Sequence, residues 1–500
     1  MKKYILSIDQ GTTGTTVAIV DVRGKLLCAV NTEFDQIFPK EGWVEHDPEN
    51  IWNSVLVGIE KVIKKSNINI NSIISIGITN QRETVVAWDS ETGKSIYNAI
   101  VWQCNRTASF CKKMETIKGL SERIKMKTGL LLNPYFSATK ISWIIKNVVS
   151  AKMLIRKNKL RVGTIDTFLL WRLTGGKIHK TEVSNASRTL LMNLRTLDWD
   201  TELLKIFEVP KSVLPTIEES ANIFGYTKNI GILPDGIPIS GILGDQQAAL
   251  FGQACIKSGN AKCTFGTGSF ILVNTGNKII FSKHRLITTV AWKVNGKVTY
   301  AIEGGAFVCG AAVQWLRDGL GIIKTSFEIE KLAREVKSTN GIEFIPALTG
   351  LGAPYWLPNV RGIISGITRG TNKNHLARAT LEAMALQNVD ILKAIEKDLG
   401  RSIQNLKVDG GASENSLLMQ LQADYLGQKV LRPKITESTV FGAALMAGVG
   451  IGYWKHLKEL IYLRNDYDLF EPLISLKDRK KRISIWHKAL QVSEFESESN

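Results

Sequence analysis

The sequence predicts an α/β protein of two domains, and three observations support this prediction. The chain has 500 residues, which is more than one ordinary hydrophobic core accommodates. Strand-like and helix-like segments alternate over residues 4–83, as is typical of an α/β architecture. A pattern of strand, Gly/Thr-rich turn and strand at 4–20 returns at 262–273, near the middle of the chain. We therefore expect an N-terminal domain at residues 1–251 and a C-terminal domain at 252–500.

The first hairpin turns through a string rich in Gly and Thr, with a carboxylate beside it. It consists of the apolar segment 4–8, the string Asp-Gln-Gly-Thr-Thr-Gly-Thr-Thr at 9–16 and the apolar segment 17–20. Such a turn exposes backbone N–H groups and hydroxyls that can hold phosphate, with Asp9 free to face a metal ion. No Gly-Lys-Ser/Thr opens a helix here, so this is not a Walker loop. Taken alone, the residues slightly favour an ordinary hairpin turn.

Helix and strand signals continue through the rest of the first half. Asp-Pro-Glu at 47–49 combines a cap, a proline in the first turn and an early acid, and predicts a helix to about Lys64. The predicted strand 73–78 ends in Thr-Asn-Gln-Arg-Glu at 79–83. Asp245 follows the apolar strand that begins at Ile237 and precedes an Ala-rich helix. This carboxylate is either a helix cap or a ligand-facing group at the C-terminal end of a strand.

The second half contains a strand, a Gly-Gly turn and a helix in succession. Apolar residues recur at three- and four-residue steps over 375–399, and Gly400 ends the predicted helix. The strand 406–408, the string Asp-Gly-Gly-Ala at 409–412 and the helix 416–426 follow. The glycines let a nucleotide lie against the backbone, and a helix N-terminus favours anions. By itself this pattern is more often an ordinary tight turn.

Composition excludes several classes of protein. With 44% hydrophobic and 22% charged residues, the chain is globular rather than disordered. The net charge of +18 is spread along the chain, and its densest basic cluster, at 477–482, lacks interleaved aromatic residues, so we expect no nucleic-acid partner. The near-apolar run 441–452 is too short to cross a membrane. The six cysteines lack Cys-x-x-Cys spacing, which predicts a reduced, cytoplasmic location without membrane insertion.

Several strings together resemble one family of kinases. The phosphate and adenosine loops of the sugar-kinase/Hsp70/actin superfamily are similar to Asp-Gln-Gly-Thr-Thr at 9–13, Phe-Gly-Thr-Gly at 265–268 and Val-Asp-Gly-Gly at 408–411. The two FGGY carbohydrate kinase signatures are similar to the strings at 135–144 and 362–382. Five further strings resemble the glycerol kinase branch of that family, and they lie at 42–48, 77–84, 97–103, 244–252 and 349–356. The resemblance covers about residues 1–470 and implies two ribonuclease-H-like α/β domains flanking an ATP and substrate cleft.

The activity that this resemblance implies is ATP-dependent phosphorylation of glycerol to sn-glycerol 3-phosphate, the first step of glycerol utilisation. Transfer would be direct and in line, with Mg²⁺ as the cofactor and ADP as the second product. A cytoplasmic homo-oligomer, dimer or tetramer, is implied as well. Two alternatives stay open, namely an FGGY kinase for another polyol or sugar, and a weakly active nucleotide-binding member of the family.

The resemblance also assigns roles around glycerol. Arg82 and Glu83 correspond to the pair that clamps neighbouring hydroxyls, since Arg only donates and Glu only accepts hydrogen bonds. Asp245 corresponds to the catalytic base that takes the proton of the attacking hydroxyl. The further substrate contacts that the resemblance implies are Trp102, Tyr135, Gln246 and Phe270.

A second set of residues is implied to hold the nucleotide and the metal. The expected nucleotide contacts are Thr12, Thr13, Gly14, Thr15, Thr267, Gly310, Gln314, Gly411 and Asn415. Asp9 is expected to orient Mg²⁺ through water, and Asp245 to face the same ion. The chain departs from the family at Thr16, where most glycerol kinases have an arginine that would touch a phosphate. We therefore expect weaker nucleotide binding or slower turnover.

Overall fold

The computed structural model describes residues 2–357, 359–464 and 466–498, which form two large sheets covered by helices. In chain order the strands are β1 (Tyr4–Gln10), β2 (Gly14–Asp21), β3 (Leu26–Glu33), β4 (Glu45–His46), β5 (Ile73–Asn80), β6 (Val85–Asp89), β7 (Ala99–Ile100), β8 (Leu160–Thr164), β9 (Lys180–Glu182), β10 (Met192–Asn193), β11 (Asp198–Trp199), β12 (Thr216–Glu218), β13 (Ala221–Tyr226), β14 (Pro238–Gly244), β15 (Ala261–Phe265), β16 (Ser269–Gly276), β17 (Ile287–Val294), β18 (Lys297–Ala306), β19 (Glu343–Ile345), β20 (Ile363–Ser365), β21 (Asn405–Asp409), β22 (Lys429–Pro433) and β23 (Tyr467–Phe470). The helices are α1 (Pro48–Ser66), α2 (Ala108–Glu115), α3 (Leu120–Thr128), α4 (Ser137–Asn147), α5 (Val149–Arg156), α6 (Ile165–Leu173), α7 (Val183–Ala186), α8 (Thr201–Ile206), α9 (Asp245–Gly252), α10 (Gly310–Gln314), α11 (Glu328–Arg334), α12 (Lys373–Leu399), α13 (Ser416–Leu426), α14 (Ser438–Gly450) and α15 (Leu476–Glu498).

The first sheet brings three strand ends to one edge. Its order is β13-β14-β5-β1-β2-β3, in which β1 and β2 form the predicted antiparallel hairpin and β1, β5 and β14 are parallel. Asp9 pairs with Thr79, which also pairs with Leu243 of β14. Because parallel strands in register end together, Asp9, the turn after β5 and Asp245 lie at the same edge.

The second sheet repeats this arrangement. Its order is β17-β18-β16-β15-β21-β22-β23, with β15 and β16 as the predicted antiparallel hairpin and β21 parallel to β15. Thr264 pairs with Asp409, so the second Gly/Thr turn and the Asp-Gly-Gly turn leave the sheet side by side. The similarity between the two hairpins that the sequence indicated is therefore present in the structure.

Helix α14 crosses from the later part of the chain to the first sheet. It packs on β14, β5 and β1, and glycines in two of these strands make the close approach possible. A Cβ on Gly77 would lie 2.2 Å from the carbonyl oxygen of Ala443, and one on Gly241 would lie 2.2 Å from the backbone nitrogen of Ala447. Residues 438–450 therefore pack on the first sheet although they belong to the second half of the chain. A domain boundary near residue 252 stays a prediction.

The predicted helix boundaries are confirmed by their caps. The side chain of Asp47 accepts a hydrogen bond from the backbone N–H of Glu49 at 2.9 Å and starts α1. Gly400, with φ at +66°, ends α12 in the left-handed conformation that glycine adopts without strain. All six cysteines are free thiols. Within the described part of the chain, no helix combines the length and apolar character needed to cross a membrane.

Candidate active site

The predicted glycerol clamp lies buried at the edge of the first sheet. Arg82 and Glu83 occupy the turn after β5, and both are almost fully buried, which excludes a solvated surface ion pair. Glu83 has φ at +61°, an uncommon conformation for this residue type, and its carbonyl accepts a hydrogen bond from Ser137 Oγ at 3.0 Å. Nε of Arg82 lies 3.0 Å from Oδ1 of Asp245. The structure thus brings the adjacent residues Arg82 and Glu83 together with Asp245, which is far from them in sequence.

Asp245 is the more accessible carboxylate of this group. Its side chain is 29% exposed, whereas that of Glu83 is 1% exposed. The residue before it, Gly244, donates its backbone N–H to Ser184 Oγ at 2.9 Å, and Ser184 in turn donates to the buried carboxylate of Glu182. A carboxylate with a fixed backbone and an open side chain is suited to accept a proton from a bound hydroxyl.

Three aromatic rings form a wall beside the clamp. Trp102 meets Tyr135 edge-on with ring centroids 5.6 Å apart, and it meets Phe270 in the same way at 6.3 Å. Trp102 also donates its indole N–H to Thr12 Oγ1 at 2.9 Å. This bond connects the apolar wall to the first phosphate loop. The wall and the clamp together offer a small polyol one apolar side and one polar side.

Two buried residues that the sequence did not single out complete the clamp. Glu303 of β18 accepts hydrogen bonds from both terminal nitrogens of Arg82, at 2.7 and 2.9 Å. Arg188 contacts the same carboxylate at 3.2 and 3.3 Å and donates its Nε–H to Glu83 at 2.5 Å. A signal for Glu303 was available, since it interrupts an apolar strand and a charge buried there needs a partner. No comparable signal marks Arg188.

The charges of this cluster set the ionisation of its carboxyl groups. Burial favours the neutral form of Glu303, but Arg188 and Arg82 outweigh it and lower the pKa of Glu303 to about 2. For Glu83 the effect of burial outweighs the same two arginines and raises the pKa, and the charge of Glu303 adds a smaller contribution in the same direction. Glu303 is therefore the permanent counterion of both arginines. Within the described residues, Glu83 Oε2 and one Nη2 hydrogen of Arg82 have no hydrogen-bond partner.

The first Gly/Thr turn has a tight backbone and two open hydroxyl side chains. The N–H of Gly11 donates to the carbonyl of Gly14 at 2.9 Å and closes the turn. Thr12 is partly exposed and Thr13 is exposed. Thr15 is buried, and its hydroxyl bonds Ser54 of α1 at 2.6 Å. Any contact between Thr15 and a phosphate would therefore use its backbone rather than its hydroxyl.

The second turn docks on the start of α10. Gly266 donates to the carbonyl of Gly268 at 2.9 Å, and the N–H of Gly310 donates to the carbonyl of Gly266 at 3.0 Å. A Cβ on Gly310 would lie 2.7 Å from that carbonyl oxygen, so a larger residue would push the two segments apart. Thr267 and Gln314 have exposed side chains next to this junction. The structure thus places Thr267, Gly310 and Gln314 close together, and their contact with a nucleotide stays a prediction.

The Asp-Gly-Gly turn also leaves its backbone accessible. Gly410 has φ at +84°, and a Cβ there would lie 2.6 Å from the carbonyl oxygen of Phe265. Around Gly411, by contrast, a Cβ would meet no described atom within 4 Å, so this side of the turn is open. Asn415 caps α13 through Oδ1, which accepts from the N–H of Leu418 at 2.9 Å. A flat ring can therefore approach the backbone at Gly411.

Two carboxylates at the first edge fit a magnesium ion bound together with phosphates. Burial raises the pKa of Asp9 well above its usual value, and Asp245 and Glu437 add to this effect. A cation near Asp9 would offset the repulsion between its carboxylate and those of Asp245 and Glu437. Within the described residues there is no group of three or more His, Cys, Asp or Glu that could hold a metal ion by itself. Mg²⁺ commonly takes only one or two carboxylates and completes its coordination with water and substrate phosphates.

The two sheets with their paired Gly/Thr turns identify this protein as a kinase. The chain belongs to the FGGY family of carbohydrate kinases, whose N-terminal domain matches residues 4–252 and whose C-terminal domain matches residues 261–451. It is 55% identical to the glycerol kinase of Bdellovibrio bacteriovorus, over 98% of this chain and 99% of that protein. It is 49% identical to glycerol kinase 2 of Thermotoga maritima, over 98% of this chain and 99% of that protein.

Solved structures show the same relationship. A crystal structure of Plasmodium falciparum glycerol kinase with ADP matches with a TM-score of 0.90 and 39% identity, covering 98% of both chains. A gluconate kinase from Lactobacillus acidophilus matches with a TM-score of 0.87 and 23% identity, covering 99% of both chains. This second likeness shows the fold alone. The predicted fold class and family are therefore confirmed, and within the family the chain groups with the glycerol kinases.

Proposed function

We propose that this enzyme transfers the γ-phosphoryl group of ATP to glycerol and releases sn-glycerol 3-phosphate and ADP. The observation that carries the proposal is the buried group of Arg82, Glu83 and Asp245 beside the aromatic wall. It offers one N–H donor, one acceptor oxygen and one accessible carboxylate, which match the hydroxyls of a small uncharged polyol. The similarity to glycerol kinases over nearly the whole chain supports glycerol as that polyol.

In the proposed mechanism, Arg82 and Glu83 bind two neighbouring hydroxyls of glycerol, and Trp102 and Phe270 pack against its carbon skeleton. Asp245 accepts the proton of the third hydroxyl as its oxygen forms a bond to the γ-phosphorus. The bond between that phosphorus and the β,γ-bridging oxygen breaks, and ADP leaves with both electrons of that bond. Tyr135 and Gln246 provide further hydrogen bonds to the substrate.

The nucleotide would lie between the two Gly/Thr turns. Backbone N–H groups and hydroxyls of residues 12–15 and Thr267 would hold the phosphates, and Gly310, Gln314, Gly411 and Asn415 would contact the adenosine. Asp9 would hold Mg²⁺ through water, with Asp245 facing the same ion. When bound, Mg²⁺ neutralises charge on the transferring phosphoryl group. A homo-oligomeric state and a cytoplasmic location stay predictions.

A coupled assay of ADP release with a panel of polyols and sugars tests the proposal. Glycerol should give the highest kcat/KM, and omission of Mg²⁺ should abolish turnover. Higher kcat/KM with xylulose or gluconate would instead favour an FGGY kinase for another substrate. ADP binding without turnover on any substrate would indicate a nucleotide-binding member of the family.

A further inference from the structure

A buried lysine connects the proposed glycerol site to the adenosine turn. Lys262 of β15 has no solvent exposure, and its ammonium donates to three neutral oxygens. These acceptors are Oε1 of Gln246, Oγ1 of Thr264 at 2.8 Å and the backbone carbonyl of Phe270 at 3.4 Å. Gln246 and Phe270 are both assigned to the substrate in the proposed function. An ammonium has three hydrogens, so these contacts occupy all of them.

The bond to Lys262 determines which end of the Gln246 carboxamide is free. An ammonium only donates, so the atom that contacts it must be the carboxamide oxygen. The amide nitrogen then points elsewhere, and within the described residues it has no acceptor. Gln246 is adjacent to Asp245, whose Oδ1 accepts the backbone N–H of Gln246 at 2.6 Å. The free NH₂ group is therefore available to donate to a substrate hydroxyl next to the proposed base.

A second hydrogen bond of Lys262 leads through Thr264 to the Asp-Gly-Gly turn. Because the hydroxyl of Thr264 accepts from Lys262, its single proton goes to Oδ1 of Asp409, at 2.5 Å. Asp409 has a second support, since Nε2 of Gln253 donates to its other oxygen at 3.0 Å. The turn that follows Asp409 thus depends on Lys262 only in part, whereas no other contact of a described residue fixes the Gln246 carboxamide.

We propose that Lys262 is a positioning residue that holds the Gln246 carboxamide with its NH₂ group toward the substrate and links that contact to the Asp409 turn. The proposal rests on the proposed function, in which Gln246 contacts glycerol. Among the described residues no carboxylate forms an ion pair with Lys262, and burial lowers its pKa against the smaller opposing effects of Asp409, Asp245 and Glu303. A neutral residue of similar length could fill the same space, so packing alone does not account for a charged group here.

A double-mutant cycle between Lys262→Met and Gln246→Ala tests this role. Lys262→Met should raise KM for glycerol roughly twofold to tenfold, the range for loss of the neutral hydrogen bond that the Gln246 amide would donate to glycerol. KM for ATP should rise less, because Gln253 still holds Asp409. KM for glycerol in the double variant should be no higher than in the more impaired of the two single variants, because both changes remove the same contact. Lys127→Met removes a partly buried lysine that pairs with Asp200, and serves as the matched control with unchanged KM.

An unchanged KM for glycerol in Lys262→Met, or effects that multiply in the double variant, would overturn the proposal and leave Lys262 with a packing role. If Lys262→Met is insoluble, the same cycle with Lys262→Gln decides the question, since an amide both donates and accepts hydrogen bonds and therefore does not fix which end of the Gln246 carboxamide faces it. The wild-type enzyme is assayed first with the full polyol panel. If it prefers another polyol, the proposed substrate is wrong, and the cycle is then measured with that polyol.

Discussion

Replacement of Glu303 by glutamine should weaken both the fold and the glycerol clamp. Glu303 accepts four contacts, at 2.7 and 2.9 Å from Arg82 and at 3.2 and 3.3 Å from Arg188. Glu303→Gln keeps the shape of the side chain but leaves two buried guanidinium groups facing one remaining buried carboxylate, that of Glu83. Breaking a buried ion pair from one side costs about 3–5 kcal/mol, a large share of the 5–15 kcal/mol that is typical of a folded protein.

Urea unfolding and steady-state kinetics measure the two effects of this change. We expect a loss of about 3–5 kcal/mol in the free energy of unfolding and at least a roughly tenfold rise in KM for glycerol, because the bidentate contact orients Arg82. Glu343→Gln is the matched control, since Glu343 pairs with Arg482 at 2.9 Å on a different strand. That variant should lose stability without a change in KM.

The pH dependence of stability gives an independent check. The pKa of Glu303 is lowered from 4.5 to about 2 in the folded protein, so folding favours its ionised form. This contribution is complete above about pH 4.5 and is lost as the pH falls toward 2. The difference in unfolding free energy between wild type and Glu303→Gln should therefore shrink on acidification. An unchanged unfolding midpoint at pH 7 together with an unchanged KM for glycerol would show that Glu303 is not the counterion on which Arg82 and Arg188 depend.

Two further predictions concern the phosphate loop and the substrate loop. Thr16 stands where an arginine is expected, and its hydroxyl accepts a hydrogen bond from Asn31 Nδ2 at 3.1 Å. Thr16→Arg should lower KM for ATP about tenfold, because the arginine can form a charge-assisted hydrogen bond to a phosphate. No change in KM for ATP or in kcat would contradict this prediction. Lys140 donates to the carbonyls of residues 134–136, and burial lowers its pKa to about 8. It therefore loses a proton as the pH rises through about 8, and KM for glycerol should increase between pH 7 and 9. Lys140→Met should have a raised KM without this pH dependence, whereas a flat wild-type profile would count against the role of Lys140 in holding the Tyr135 loop.

Local sequence patterns predicted the parts of this fold that local chemistry determines. The Gly/Thr hairpins, the Asp47 cap and the Gly400 stop each depend on residues within a few positions of one another, and each is present. The resemblance then placed Arg82 and Asp245 in one site, which the parallel register of β5 and β14 brings about.

Contacts across long sequence separations could not be predicted in this way. Glu303 is 221 positions from Arg82, and nothing near either residue indicates that they pair. Thr15 is oriented by Ser54, which is 39 positions away on α1, so the sequence could not reveal that its hydroxyl faces the core. In the sequence, helix α14 is an apolar segment of the second half of the chain. In the structure it packs on the first sheet, because the glycines of β5 and β14 leave room for its backbone.

Glycerol-dependent ADP release by the Asp245→Asn variant measures the contribution of the proposed base. Asn has the shape of Asp but cannot accept the proton of the attacking hydroxyl, so kcat should fall at least about a hundredfold. Calorimetry should still detect glycerol binding to the variant, because Arg82, Glu83 and the aromatic wall remain. Turnover near the wild-type rate would contradict the assignment of Asp245 as the base, and with it the proposed mechanism of phosphoryl transfer.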